Sequence, residues 1–583
     1  MPVRKVVSCL VEPEAAARLL EPRRGLVREV VVGSASDGAG LVSKSFSQVA
    51  GPLTSYRRTV EFTQGFGPGG LVPVRQEVNL RVGLPWWSWL LAPLLRAHLG
   101  SFAPDRAKVP WWGPPQRLNR RPAVMLATLA ALVAVQGLVA GILPATLTYA
   151  ASQMHAGTFA QGAIFAAVEL SALPALAALV LADRRGRRSV LLWATGAAVV
   201  MSEVGAIVPS VAWFAITQVA AGALVAAGGI AAIVLAVEEV PDGCRAWSVG
   251  VLGMAGGFGA GVPLALLPLA GLGAGGWRWL YALSVCCLPV VIRSARYLPE
   301  GRRWALSREM KGSLLAGPTT SGGGSLLKPR REPPGPHVTA REGGRTPDGD
   351  ARTPGRGEGR FLGGAGARSA AGGHRLALVC AGAILFAIFA VPAGQFQTQF
   401  LRDERHYSAF AISLLEQLSG TLGGLGVLVG GRMADTRGRR PVGVACVGGA
   451  TLFTLAAYLT HAWLMWASAT ASQFFLYAAA PVLGVYGAEL FATKARARSA
   501  GLVSAASSVG AVAGLVLMGW WASKMGSFAP ALALLAAGPA VLLVLLLLAY
   551  PESAGGNLDD LSADRAGQVS LPGSAIVAVE RHN

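Results

Sequence analysis

Asp183-Arg184-Arg185-Gly186-Arg187-Arg188 fills a tight gap between two apolar runs, one over about 159–182 and one from about 189 onward. Each run, at roughly 20 residues, is long enough to cross a bilayer. Gly186 permits a sharp turn between them. The four arginines mark the cytoplasmic face. Asp183, at a helix end, is expected to face the N-terminus of another helix, where an anion is favoured. A near copy lies downstream as Asp435-Thr436-Arg437-Gly438-Arg439-Arg440, again between apolar runs.

Two further pairs keep the same register. Glu238-x-x-Pro241-x-x-x-Arg245 recurs as Glu489-x-x-Ala492-x-x-x-Arg496, and Leu298-Pro299-Glu300 recurs as Tyr550-Pro551-Glu552. All three pairs are separated by 251 or 252 residues. Self-similarity at a fixed offset is the signature of a repeated architecture, so the chain reads as two similar membrane halves.

These motifs resemble those of the major facilitator superfamily of transporters. The Asp-x-x-Gly-Arg-Arg turn resembles that family's loop between its second and third helices. The Glu-x-x-Pro-x-x-x-Arg box, Pro299-Glu300-x-x-Arg303-Trp304 and Pro551-Glu552-Ser553-x-Gly555 resemble its sugar-porter and metabolite:proton symporter branches. The resemblance covers about 121–552. It implies an all-α polytopic fold of twelve transmembrane helices in two pseudo-symmetric halves, a small-molecule substrate, and often a proton as co-substrate. Three positions depart from the family: Leu179 stands for the signature's leading Gly, Gln218 for a fourth-helix Arg, and Ala492 for the Pro of the second box.

Composition agrees. Of 583 residues 53% are hydrophobic and 14% charged, and the mean hydropathy is +0.49, which is a membrane composition. The net charge of +20 is spread over loops and a linker and lacks a nucleic-acid recognition motif, so no nucleic-acid partner is expected. Four of the six cysteines lie in or beside apolar runs, and no pair has metal-ligand spacing, so neither a disulfide framework nor a metal is expected. No catalytic triad or Walker motif is present, which disfavours an enzyme or an ATP-driven pump, and no cofactor is expected. Met1 to Lys5 precede no secretory apolar region, so the first membrane helix is expected to direct insertion.

Residues 1–118 form a separate segment. Runs at Val30–Val32, Ser55–Thr63 and Leu71–Val82 hold β-formers between Gly-rich stretches, the pattern of strands and turns. Pro85 to Leu95, with three tryptophans, is too short to span and suits an interfacial or packing helix. The order of helix, strands and helix resembles the helix-grip fold of small lipid- or polyketide-binding proteins. The segment is expected to be a small cytoplasmic α+β cap, and a chain starting near Asn119 is expected to reach the membrane.

The two six-helix halves occupy 119–305 and 376–552. Residues 306–375 are rich in Gly, Pro and Arg without apolar periodicity, as expected of a disordered basic linker. Residues 553–583 read as a polar cytoplasmic tail. Loops on one side carry Arg184, Arg185, Arg187, Arg188, Arg245, Arg437, Arg439, Arg440, Lys494, Arg496 and Arg498; the other side carries Arg278, Arg402, Arg405 and Lys524. This asymmetry predicts both termini and the linker in the cytoplasm. The short loop 151–158 lacks the Cys-bearing ectodomain of animal organic-ion transporters, which points to a bacterial plasma membrane protein, expected as a monomer.

Three glutamates lie inside predicted helices: Glu169, Glu203 and Glu416. A charged carboxylate at bilayer depth costs roughly 2.5 kcal/mol or more. Each is therefore expected to be protonated or to face a wet cavity, which makes the three candidates for proton coupling. Gln136, Gln218, Gln395, Gln399, Gln417 and Gln473 are the candidates for lining a substrate path, or for hydrogen bonds between helices. The conformational latch is expected from Asp183, Gly186, Arg187, Arg188, Asp435, Gly438, Arg439 and Arg440, with Glu238, Arg245, Glu489 and Arg496 in ion pairs that break and re-form. The leading reading is a proton-coupled secondary transporter, as symporter or antiporter. The alternatives are a drug or metabolite efflux antiporter, and a non-transporting sensor or scaffold with an N-terminal lipid-binding module.

Overall fold

The computed structural model of the chain describes residues 2–36, 41–63, 71–101, 110, 112–173, 186–300, 362–489 and 496–550. Most of the predicted linker and all of the predicted tail lie outside these residues.

The first element is a strand, β1 (Pro2–Val11), then α1 (Pro13–Leu19), β2 (Arg28–Ser36), β3 (Leu41–Ala50), β4 (Ser55–Thr63), β5 (Val72–Arg81) and α2 (Ser88–Leu99). The strands make one antiparallel sheet in the order β1-β5-β4-β3-β2. In β5, Val72, Val74, Gln76, Val78 and Leu80 are buried while Pro73, Arg75 and Arg81 are exposed, the period of two that gives a sheet one wet face. The inner face is filled by side chains. Arg58 is fully buried and donates to Glu29 from Nε (3.0 Å to Oε1) and Nη2 (2.6 Å to Oε2), and to the Leu19 and Glu21 carbonyls. It lies 4.2 Å over the Phe46 ring. Tyr56 OH donates to Glu29 at 2.6 Å; burial and then the Glu29 carboxylate push its phenol up, so it stays a donor. Removing one member of such a buried pair strands the other charge, a loss of about 3–5 kcal/mol.

The segment is not a detached cap. Leu80, Val82, Leu84, Ala92 and Leu95 share one core with Met125, Leu126 and Leu129 of the first membrane helix. Trp87 Nε1 donates to Ala127 O at 2.9 Å, and its ring stands edge-on to Phe258. Gln116 N donates to Cys244 Sγ at 3.4 Å. A chain cut at Asn119 would expose this shared core.

The bundle follows as α3 (Arg120–Gln153), α4 (Thr158–Leu170), α5 (Arg187–Ile207), α6 (Val211–Glu239), α7 (Arg245–Leu266), α8 (Arg278–Tyr297), α9 (Leu362–Gln395), α10 (Ala409–Arg437), α11 (Arg439–Leu459), α12 (Ala462–Glu489), α13 (Arg496–Met525) and α14 (Phe528–Leu548). Ten helices among the described residues are long and apolar enough to cross a membrane. The other two of the expected twelve are α4, with 13 residues, and the 28-residue α12; the rest of the apolar run read at 159–182 lies outside the described residues from 174 on. Helix α9 starts at Leu362, inside the stretch read as linker. Helix α3, with 34 residues, is about 51 Å long at 1.5 Å per residue. That exceeds the roughly 30 Å hydrocarbon core, so its first turns can carry the N-terminal domain.

Small residues let helices touch through their backbones. A Cβ on Gly141 of α3 would lie 2.7 Å from the Ala260 carbonyl of α7, and one on Gly510 of α13 would lie 2.5 Å from the Ile384 carbonyl of α9. The first and fifth helices of each half thus pack alike, as duplication requires. We call the end of the bundle at Gly186 and Gly438 the basic end, and the opposite one the far end.

Candidate transport site

At the basic end, Gly186 and Gly438 take the same backbone turn, with φ of +94° and +99° before α5 and α11. Only glycine adopts that region readily. Around Gly186 the contacts run within the first half. Arg187 pairs with Glu238, the Arg188 backbone N–H donates to Glu300 Oε1 at 3.1 Å, and Arg188 Nη2 donates to Ala295 O at 2.7 Å. The arginine turn thus reaches Glu238, and Arg245 Nε donates to the Val237 carbonyl at 3.2 Å. Arg121 of α3 lies 3.9 Å from Glu239. Arg439 is buried and Arg440 half-buried. Asp183 lies outside the described residues. Asp435, Glu489 and Arg496 are placed by their helices α10, α12 and α13, and their side chains lie outside the described ones.

The halves meet at two seams nearer the far end. In the first, α4 lies on α13: a Cβ on Gly162 would sit 2.7 Å from Leu515 O, and one on Gly519 would sit 3.1 Å from Thr158 O. Phe165 and Phe396 close the same seam edge-on at 5.6 Å. In the second, Gln417 Nε2 of α10 donates to the Gly261 carbonyl of α7. Above both, Arg402 Nη1 donates to Thr148 O of α3 at 2.8 Å, and its guanidinium lies 4.1 Å over the Tyr149 ring.

Glu169 falls on the first seam. It is half-buried, and Ser508 of α13 donates to its Oε1 at 3.4 Å. It is eleven residues from Thr158, about 17 Å along the helix, and so lies at mid-depth. Glu416 of α10 accepts from Thr398 at 2.8 Å, within electrostatic reach of Tyr149 and Tyr458. Glu203 sits one turn from the far end of α5, and its Oε2 is buried without a hydrogen-bond partner among the described residues.

The glutamines divide. Gln136 donates to Thr195 at 2.7 Å between α3 and α5 and packs against Gly228 of α6, so it ties helices together. Gln473 donates to Gln397 at 3.3 Å, likewise between helices. Buried Gln218 packs on Gly205, with Nε2 unpartnered among the described residues. Gln395 closes α9, and Gln399 follows in the next short turn; the Oε1 of each is buried and accepts no hydrogen bond among the described residues. An unpaired buried acceptor costs about 1–3 kcal/mol, so these two oxygens suit a hydroxyl- or amine-bearing solute. Sequence reasoning missed Thr398, Ser508 and the Arg402 clamp. Thr398 stands inside the glutamine run, whereas nothing near Ser508 marks it.

Residues 360–579, which include α9 to α14, match the Major Facilitator Superfamily. The whole bundle superposes on solved transporters. A bacterial homolog of the human lysosomal transporter Spinster, inward-facing and unoccupied, aligns with a TM-score of 0.54 and 14% identity, covering 73% of this chain and 95% of that one. The nucleoside transporter NupG aligns at 0.53 and 13%, covering 73% and 100%. The inward-open xylose transporter XylE from E. coli aligns at 0.51 and 14%, covering 75% and 98%. The fold is that of the major facilitator superfamily. Over 129 residues, 22% of this chain, the sequence is 36% identical to solute carrier family 22 member 7 from Sus scrofa. The match spans 23% of that curated relative's length.

Proposed function

We propose that this chain is a secondary active transporter that moves a small organic solute by alternating access and couples the movement to protons. The observation that carries this reading is the place of Glu169. A titratable carboxyl sits on the α4–α13 seam with a partner, Ser508, from the opposite half. If the halves rock about the close contact at Gly162, the Glu169 level of the α4–α13 seam opens, and Glu169 exchanges Ser508 for water. Proton binding then depends on which way the site faces, which is the condition for coupling. Glu203 and Glu416 are the reserve candidates. With the far end closed by the two seams and the Arg402 clamp, this arrangement corresponds to access from the basic end. In the opposite state the turns at Gly186 and Gly438, with Asp183 and Asp435, would close the basic end, and Glu489 and Arg496 would act there for the second half.

The motifs support the sugar-porter and metabolite:proton symporter branches, and the short loop at 151–158 supports a bacterial plasma membrane protein. The arginine asymmetry supports cytoplasmic termini. A cysteine placed at Gly343 is expected to resist a membrane-impermeant label in intact cells; labelling from outside would reverse the orientation.

The decisive experiment is Glu169→Gln in proteoliposomes tested with a metabolite panel under an imposed pH gradient. The variant keeps the shape and cannot titrate. Gradient-driven accumulation is expected to vanish while exchange of solute persists. Unchanged accumulation would make Glu169 structural and move the proton step to Glu203 or Glu416. Loss of both activities at normal membrane levels would make it a substrate ligand.

A further inference from the structure

A cavity of about 410 Å³ opens between the N-terminal domain and the head of α3, lined by Pro22, Arg24, Arg28, Glu29 and Arg117. We propose that it binds a phosphate-bearing anion, either the headgroup of an anionic lipid or a soluble phosphate compound. Three guanidinium groups meet there against one carboxylate, and that carboxylate is already engaged. Glu29 accepts from Arg58, from Tyr56 OH and, at 2.9 Å, from the Arg23 backbone N–H. Arg23 Nη1 in turn donates to Leu99 O at 2.6 Å and fixes the strand-to-helix wall. The cavity therefore keeps a net positive charge.

Its walls are built. Arg117 is half-buried and donates from Nε to Gly25 O at 3.0 Å and from Nη2 to Arg24 O. These bonds tie the approach to α3 to the loop that carries Arg24. Arg24 and Arg28 are exposed, and neither is used by the fold in a way their loss would break. Guanidinium groups match phosphate oxygens bidentately, which is why clustered arginines recognise phosphate better than a point charge does.

The position adds a second, independent argument. Arg117 lies three residues before α3 begins at Arg120, and Trp87 reaches Ala127 on the second turn of that helix. On α2, the face opposite the core leaves Trp89, Leu90 and Leu94 exposed. An apolar, Trp-bearing helix face beside a membrane helix suits the boundary between headgroups and acyl chains. Arg120 and Arg121 are exposed at the same level. The cavity thus stands where lipid phosphates lie, and basic pockets at that depth attract anionic headgroups.

The test uses the full chain purified in detergent, with thermal unfolding followed by tryptophan fluorescence at constant ionic strength. Dioctanoyl phosphatidic acid, dioctanoyl phosphatidylcholine and inorganic phosphate are titrated separately. Phosphatidic acid is expected to raise the unfolding temperature saturably, with phosphatidylcholine without effect. The double variant Arg24→Ala/Arg28→Ala, and Arg117→Gln independently, are expected to raise the half-saturating concentration about tenfold or more, because a charge-assisted hydrogen bond contributes about 1.5–3 kcal/mol. Stabilisation by phosphatidic acid alone identifies the lipid headgroup as the source. Saturable stabilisation by inorganic phosphate as well identifies a soluble anion. If neither stabilises the natural chain, or if the variants respond as it does, the proposal is wrong.

Discussion

The two seams between the halves occupy equivalent places in the repeat and are built differently. Where α4 meets α13, glycines bring backbone against backbone: Gly162 faces Leu515 O, and Gly519 faces the start of α4. Where α7 meets α10, one side chain reaches across, Gln417 to the Gly261 carbonyl. The first seam tolerates no added atom, whereas the second can lengthen, break or take water into its hydrogen bond. The duplicated architecture thus holds its halves together asymmetrically. The close seam is suited to be the pivot and the polar seam to be the part that slides.

Three substitutions test that contrast. Gly162→Leu has the largest expected effect. Its side chain would collide with α13 from the first atom, so transport should be abolished, while full-length protein remains detectable in the membrane. Normal uptake would show that the seam yields and is not the pivot. Arg402→Ala comes next. It removes the clamp on Thr148 and the contact with Tyr149, together about 1.5 kcal/mol for a half-buried cation, and so should shift the two-state balance toward far-end opening about tenfold. Accessibility of a cysteine placed at Ser152 would report it. Gln417→Leu should be mildest. Hydrogen bonds between membrane helices average about 0.6 kcal/mol, so the uptake rate should change by about threefold. A loss as large as that of Gly162→Leu would erase the difference between the seams.

The helices were legible because bilayer depth imposes long apolar runs, and the repeat was legible because motif residues recur in register. The strands were only partly so. Ser55–Thr63 was read with its observed bounds, but β1 carries Arg4 and Lys5, and β3 reads Leu41-Val-Ser-Lys-Ser-Phe46. Edge and wet-face positions of a sheet accept charge and serine, so hydropathy does not mark them. At the basic end the motif spacing marked Glu238 and Arg245 for ion pairs without fixing their partners. Tertiary packing brings Arg187 to Glu238, a partner fifty-one residues away that no local pattern announces. The carboxylate candidates were legible as anomalies in apolar helices, yet their partners were not: Ser508 lies 339 residues from Glu169, and a serine among small residues in a membrane helix is unremarkable by itself.

The domain at the head of α3 is joined to the first half through Trp87 on Ala127 and Gln116 on Cys244. A body fastened in this way travels with the helices that carry it. It gives the first half an arm outside the bilayer whose angular swing magnifies a small rotation near the midplane. One fluorophore on the wet face of its sheet, at Arg57 or Arg75, and a second on the C-terminal helices would therefore read the working cycle as a change in separation, without any label inside the membrane.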